Sequence, residues 1–309
     1  MSTTIQLVAP DDVYNRQLVD NVHPPDWQNP KPVGRYNLVV IGAGTAGLVS
    51  AAGAAILGAR VALIEKHLMG GDCLNYGCVP SKALIRAARA AHAVREAPEF
   101  GIQVEESPRI EFAETMRRLR RLRAEISSHD SAKRCAEVGI DVFIGDGRFV
   151  SPDAVEVGGQ RLTFSKAIIA TGARAARLPV PGLAENGFLT NETVFSLTKL
   201  PARLVVIGAG PIGCELAQAF RRLGSEVCIV SLDPQLLPRE DRDAAGLLQA
   251  QFEREGIGLC LGAQLRRIER RNGGKQVIFE RNGAEETVVA DEILVAVGRA
   301  PNVEELNLP

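Results

Sequence analysis

Read for its apolar and polar positions, the chain shows one figure twice. Asn37–Ile41 is a short apolar run of strand length, Ala46–Leu57 a small-residue stretch of helix length, and Arg60–Ile64 a second apolar run. That order predicts a strand–helix–strand unit. The figure returns from Arg203 in RLVVIGAGPIGCELAQAFRRLGSEVCIVS, after the turn-rich PVPGL. Between the copies, a long apolar-faced helix is expected from near Cys73 through KALIRAARAAHAV, and another over roughly residues 111–138. The second carries Arg117, Arg118, Arg120, Arg121 and Arg123, which read as a solvated helix face. The alternating runs DVFIGDGRFV and AVEVGGQRLTFSKAIIATG predict a small antiparallel layer. Residues 1–34, with five prolines and little periodicity, read as an extended arm.

Both copies set a glycine motif between the strand and the helix: Gly42, Gly44 and Gly47 in the first, Gly208, Gly210 and Gly213 in the second. In such a motif the first glycine permits the tight turn and the second lets backbone approach a pyrophosphate. The third lets helix and strand pack closely, and the helix N-terminus faces the anion. Glu65 ends the next strand of the first copy, where a carboxylate accepts from ribose hydroxyls. The fold class is therefore α/β, with two Rossmann-like three-layer dinucleotide-binding domains. At the matching place in the second copy stands Ser231, followed by Leu232 and Asp233. An acid there favours NAD and a nearby arginine NADP, so NADPH and NADH both stay open.

Composition adds bounds. The 309 residues suit two domains, and 46% apolar with 24% charged residues is ordinary for a globular protein. A formal net charge of -1 gives no general pull toward nucleic acid or an anionic membrane, so neither is expected as a partner. No run reaches the roughly 18 residues of a membrane span, and the first residues lack the pattern of a signal peptide. A cytoplasmic location is the expectation.

Of six cysteines only Cys73 and Cys78 form a tight local pair, in GGDCLNYGCVPSK. Their place at a helix start, with Lys82 nearby, suits stabilised thiolates. Two buried structural cysteines, a metal site with His67 or His92, and a stabilising disulfide are the competing readings. The C-x4-C spacing is unusual for zinc and structural disulfides are rare in the cytosol, so no metal is expected. Cys135, Cys214, Cys228 and Cys260 read as small core residues.

With these motifs in place, residues 36–309 resemble the class I pyridine nucleotide-disulfide oxidoreductases, the family of glutathione reductase, dihydrolipoamide dehydrogenase and mercuric reductase. The resemblance implies that electrons pass from NADPH or NADH through FAD to a Cys73–Cys78 disulfide, and on to a small-molecule disulfide or thiol or to mercuric ion. Cys73 matches the family's interchange thiol and Cys78 the thiol against the flavin. Lys82 matches the lysine near flavin N5, and Glu215 its acidic partner. The first glycine motif, Glu65, Lys66, Gly71, Asp72, Lys82, Gly147, Thr171 and Gly172 are expected to bind FAD. The second motif, Glu215, Ser231 and Gly298 are expected to bind NAD(P)H. The four histidines match no family catalytic position. The implied organisation is an extension over 1–34, an FAD-binding domain over 35–180 returning at 301–309, and an NAD(P)-binding domain over 181–300. The family pattern continues past VGRAPN with a ribitol-binding Asp and an interface domain that builds a homodimer and supplies a His–Glu pair. Ending at Pro309, the chain reads as truncated before both. A non-catalytic FAD- and NAD(P)-binding fragment is thus the alternative function.

Overall fold

The computed structural model describes residues 8–104, 108–271 and 273–308. In chain order it has α1 (Val13–Val22), β1 (Tyr36–Ile41), α2 (Thr45–Ile56), β2 (Val61–Glu65), α3 (Gly71–Asn75) and α4 (Cys78–Glu96). Next come α5 (Phe112–Ser127), α6 (Ala132–Glu137), β3 (Ile140–Ile144), β4 (Arg148–Ser151), β5 (Ala154–Val157), β6 (Gln160–Ile169), β7 (Ala173–Ala175) and α7 (Leu183–Asn186). The remainder is β8 (Arg203–Ile207), α8 (Pro211–Leu223), β9 (Glu226–Ser231), α9 (Arg242–Arg254), β10 (Gly258–Leu261), β11 (Gln264–Arg271), β12 (Gly274–Arg281), β13 (Ala284–Ala290), β14 (Glu292–Val295) and β15 (Arg299–Pro301).

Two compact units emerge. The first holds Met1–Pro80, Arg120–Arg174 and Ala300–Pro309, the second Ser81–Leu119 and Ala175–Arg299. The stretch 81–119 thus groups with the second unit, whereas the sequence reading ran its first domain unbroken over 35–180. Among the described residues no helix is long and apolar enough to cross a membrane.

In the first unit the sheet order is β3-β2-β1-β6-β5-β4. β3, β2, β1 and β6 run parallel, while β4 and β5 extend the sheet antiparallel from β6. The expected antiparallel layer is present, but its first run, Ile140–Ile144, pairs parallel with β2 instead. One face packs Val40, Leu63 and Val142 with α2 and α6, and the other packs Tyr36, Ile41, Phe143, Val155 and Phe164. Apolar residues fill every position of β2 up to Glu65, as a strand covered on both faces requires.

In the second unit the parallel sheet has the order β10-β9-β8-β14, and β11-β12-β13 form a separate antiparallel sheet. Val205, Ile207, Val230 and Val295 of the first pack with Ile268, Val277 and Phe279 of the second. The motif repeat is therefore a repeat of topology. Each unit has its glycine-motif strand beside the fourth parallel strand, and each inserts antiparallel strands before that fourth strand.

Of the arm expected over residues 1–34, residues 1–7 lie outside the described residues, and the rest is not merely extended. Asp12 caps α1 by accepting from Asn15 N at 2.9 Å, and Leu18 and Val22 are fully buried. The arginine helix also departs from expectation. Arg117, Arg118 and Arg121 are exposed, but Arg120 and Arg123 are 6% and 3% exposed. Arg120 pairs with Asp12 at 2.5 Å, and Arg123 donates to Asn15 Oδ1 at 2.6 Å. A solvated face is what three of the five arginines form, and a dock for α1 is what the other two form.

Candidate functional site

Parallel sheets bind ligands at the carboxyl ends of their strands, where the strand order reverses. In the first unit the ends of β1, β2, β3 and β6 bring up Gly42–Gly47, Glu65 and Lys66, Gly147, and Thr171 and Gly172 respectively. Gly42 has φ +103°, and a Cβ there would lie 2.3 Å from Ala170 O. A Cβ on Gly47 would lie 1.8 Å from Gly42 O, so α2 sits against β1 only because that position is bare. Gly44 is different: an added Cβ would meet only Gly71 Cα, at an ordinary 3.6 Å. Gly44 is also the cap of α2 and gives that helix start no side-chain cap. An open helix start beside a bare glycine is a cradle for a pyrophosphate, and the residues present fit the phosphate part of a dinucleotide.

Glu65 accepts from Ala43 N at 2.7 Å and His67 N at 2.8 Å, and burial raises its carboxyl above the usual range. Lys66 donates to Glu305 at 2.6 Å. Gly147 packs closely on β2, where a Cβ would stand a tight 3.0 Å from Ile64 Cγ2. Asn302 ties the β6 end in place, its N donating to Gly172 O and its Nδ2 to Thr171 O, both at 3.0 Å.

The cysteine pair is built onto this loop. A Cβ on Gly71 would stand 2.5 Å from Gly44 Cα, and Gly70 N donates to Ala43 O at 2.8 Å. Backbone thus touches backbone, and α3, carrying Asp72 and Cys73, is held against the glycine turn. The single long helix expected from Cys73 is in fact two, broken at Tyr76 and Gly77, with Cys78 opening α4. At Gly77 a side chain would crowd Asp72 O at 2.9 Å. The break brings the two thiols into side-chain hydrogen-bonding contact, Cys73 half-buried and Cys78 exposed. Burial, then the Cys78 side chain, push the Cys73 thiol up, while the Thr45 hydroxyl pulls it down. Lone helix-start stabilisation of both thiolates is therefore not what Cys73 experiences; desolvation is the larger effect there.

Three residues escaped the sequence reading. Thr45, first in α2, bonds the Cys73 thiol. Asn75 Nδ2 donates to Met69 O at 3.0 Å and Gly71 O at 2.8 Å, closing α3 on itself. Arg123 Nη1 donates to Asn75 O at 2.7 Å, so a buried cation holds the loop between the cysteines. Thr45 lies inside the glycine motif and could have been flagged by position; the other two depend on long-range partners.

In the second unit, Lys82 Nζ lies 2.8 Å from each carboxylate oxygen of Glu215, both side chains being exposed. The carboxyl ends of β8, β9 and β14 enclose a cleft of about 1050 Å³ lined by Gly208, Gly210, Ser231, Asp233, Arg239 and Gly298, among others. The glycines repeat the first motif: a Cβ on Gly208 would lie 2.5 Å from Ala296 O and one on Gly213 2.2 Å from Gly208 O. At Gly210 it would meet nothing within 4 Å, and the start of α8 likewise lacks a side-chain cap. The volume and the open helix start fit a dinucleotide. Gly213, Glu215 and Lys82 do not line the cleft. Ser231 Oγ bonds Asp233 on both its N–H, at 3.2 Å, and Oδ2, at 3.3 Å.

The remaining cysteines divide. Cys135 and Cys214 are buried, and burial pushes each thiol up to about 11. Cys228 is only half-buried, and its sulfur lies 3.7 Å from that of buried Cys260. Their hydrogen bond raises the Cys228 thiol and, with Arg281, lowers that of Cys260.

Comparison with known proteins agrees with this geometry. The family of pyridine nucleotide-disulphide oxidoreductases matches residues 36–308. A mercuric reductase of Lysinibacillus sphaericus is 36% identical over 273 residues, covering 88% of this chain and 50% of the relative. A dihydrolipoyl dehydrogenase of Thermus scotoductus is 35% identical over 284 residues, covering 88% and 59%. The solved HOCl-induced flavoprotein disulfide reductase RclA of Escherichia coli superposes with a TM-score of 0.74 at 30% identity, covering 88% of this chain and 58% of that one. The chain thus spans about half the length of the curated mercuric reductases it matches. It belongs to the pyridine nucleotide-disulphide oxidoreductase family.

Proposed function

We propose that this chain is the dinucleotide-binding and redox-active part of a flavoprotein disulfide oxidoreductase, with NAD(P)H bound in the second-unit cleft and FAD at the first glycine motif. The observation that carries the reading is the Cys73–Cys78 thiol contact, held by backbone packing of Gly71 against Gly44. FAD supplies the chemistry that turns a hydride from the nicotinamide into two electrons for a disulfide. The chain's own residues do the rest. Gly44 and the start of α2 take the pyrophosphate, and Glu65 accepts from the ribose. Lys66, Asp72, Gly147, Thr171 and Gly172 shape the remaining edge of the FAD site. Lys82 and Glu215 form an ion pair within the second unit. Cys78 forms the bond partner of Cys73, and when the pair is reduced Cys73 is the thiol that exchanges with substrate. Thr45 holds the Cys73 sulfur, and its hydroxyl steadies the thiolate.

The substrate proposed is a thiol-reactive small molecule, a disulfide or mercuric ion, and the complete protein is proposed to act as a homodimer. Identities of 36% to a mercuric reductase and 35% to a dihydrolipoyl dehydrogenase do not separate the two. The test is anaerobic reduction of the FAD-loaded chain with NADPH. A long-wavelength thiolate–flavin absorbance, lost in Cys78→Ser, supports the reading. Flavin bleaching with the same spectrum in both proteins defeats it.

A further inference from the structure

The second unit holds another pair of sulfurs. β9 and β10 are parallel neighbours, with Cys228 opposite Gly258 and Cys260 opposite Val230. The cysteines are therefore offset by two residues and share a face of the sheet. On β10 the bare Gly258 lies opposite Cys228, where a Cβ would come within 3.3 Å of its sulfur, and on β8 Val205 lies opposite it. The two Sγ atoms are 3.7 Å apart, and neither residue lines the coenzyme cleft.

We propose that Cys228 and Cys260 form a second thiol site that chelates a thiophilic d10 cation such as cadmium or zinc. The separation decides between the two fates open to such a pair. Two thiolates about 2.3 Å from one tetrahedral ion stand about 3.8 Å apart, which the sulfurs match without moving. A disulfide needs about 2.05 Å, and Cα atoms more than about 7 Å apart do not reach it without backbone movement. Strands about 4.8 Å apart and an offset of two residues, about 6.6 Å, put the two Cα atoms about 8 Å apart. Soft thiolate sulfur selects this group of metals. On binding, each thiol loses its proton to solvent, two sulfur–metal bonds form, and no electron moves. Half-buried Cys228 gives the ion an entry, and buried Cys260 makes the inner bond. Among the described residues no set of three or more His, Cys, Asp or Glu side chains could hold a metal. Water completes the coordination, and the ion remains exchangeable. Arg281 fixes the rim, donating to Leu259 O at 3.3 Å and pairing with Glu286 at 2.8 Å. That pairing neutralises the cation that Arg281 places beside the sulfurs.

Cadmium titration of the full chain carrying Cys73→Ser and Cys78→Ser tests this apart from any redox role of those residues. One equivalent should give a saturable thiolate-to-cadmium absorbance and remove two thiols from reaction with a thiol reagent. Adding Cys228→Ala or Cys260→Ala should abolish that absorbance while NADPH binding, measured alongside, is retained as proof of fold. Absence of the absorbance in the parent overturns the proposal, as does its persistence in either variant. Ready closure of the pair to a disulfide with no metal retained overturns it too.

Discussion

Burial raises the Cys73 thiol, and contact with the Cys78 side chain raises it further. A raised thiol reacts as thiolate only at higher pH, so alkylation of Cys73 in the reduced protein should show a midpoint above the ordinary thiol value. Cys78→Ala removes the second contribution and leaves the first. Its alkylation midpoint should move down, and an upward move would show that the Cys78 contact is not what the structure describes. Coenzyme choice also belongs to single residues. Ser231, Asp233 and Arg239 line one cleft, so an acid and a base both stand near the strand end. Binding of NADPH and NADH should differ by less than about a hundredfold, or some 2.7 kcal/mol. Arg239→Ala should weaken NADPH and spare NADH in titrations at fixed salt. The glycines, Glu65 and the cysteines were legible in the sequence because each is a local requirement of one turn or strand end. Thr45 stands inside the glycine motif and is marked by that position, but its bond to the Cys73 thiol exists only once α3 folds back over it.

At the scale of elements, positions within one glycine motif meet opposed demands that substitution can separate. Gly213→Ala places a methyl 2.2 Å from Gly208 O and must push α8 off β8, which thermal melting should record as a large loss of stability. Gly210→Ala meets nothing within 4 Å, and its φ of -75° suits any residue. It should leave the melting temperature nearly unchanged and weaken NADPH binding at least tenfold, because the methyl enters the phosphate space. The reverse pattern would mean that the cleft is not the dinucleotide site. Arg123 joins three elements, α1, α3 and α5. Arg123→Met orphans the Asn75 carbonyl and the Asn15 amide oxygen and should cost about 2–4 kcal/mol in urea unfolding. An effect below half a kcal/mol would return this arginine to the solvated face first assigned to it. That burial was illegible because its partners lie 48 and 108 residues away. Asp12 before VYNRQLVDNV was a readable helix cap, hidden by the prolines around it. The break between α3 and α4 rests on Gly77 meeting Asp72 O, a close approach that helical periodicity does not encode.

On the scale of the whole molecule, one topology is used twice, and the glycine spacing alone was enough to announce it. Invisible in the sequence was the grouping of 81–119 with the second unit, which follows from packing such as Phe112 on Phe220, ring centroids 6.0 Å apart. The Cys228–Cys260 contact was hidden likewise, because adjacency of β9 and β10 is set by a crossover through α9. The proposed function requires that electrons from NAD(P)H reach Cys73 and Cys78. A thiol count on FAD-loaded protein, denatured before and after anaerobic treatment with NADPH and starting from the oxidised form, reads this transfer. A gain of two thiols is expected in the native sequence and none in the Cys73→Ser, Cys78→Ser double variant. An unchanged count in flavin-loaded native protein would contradict it.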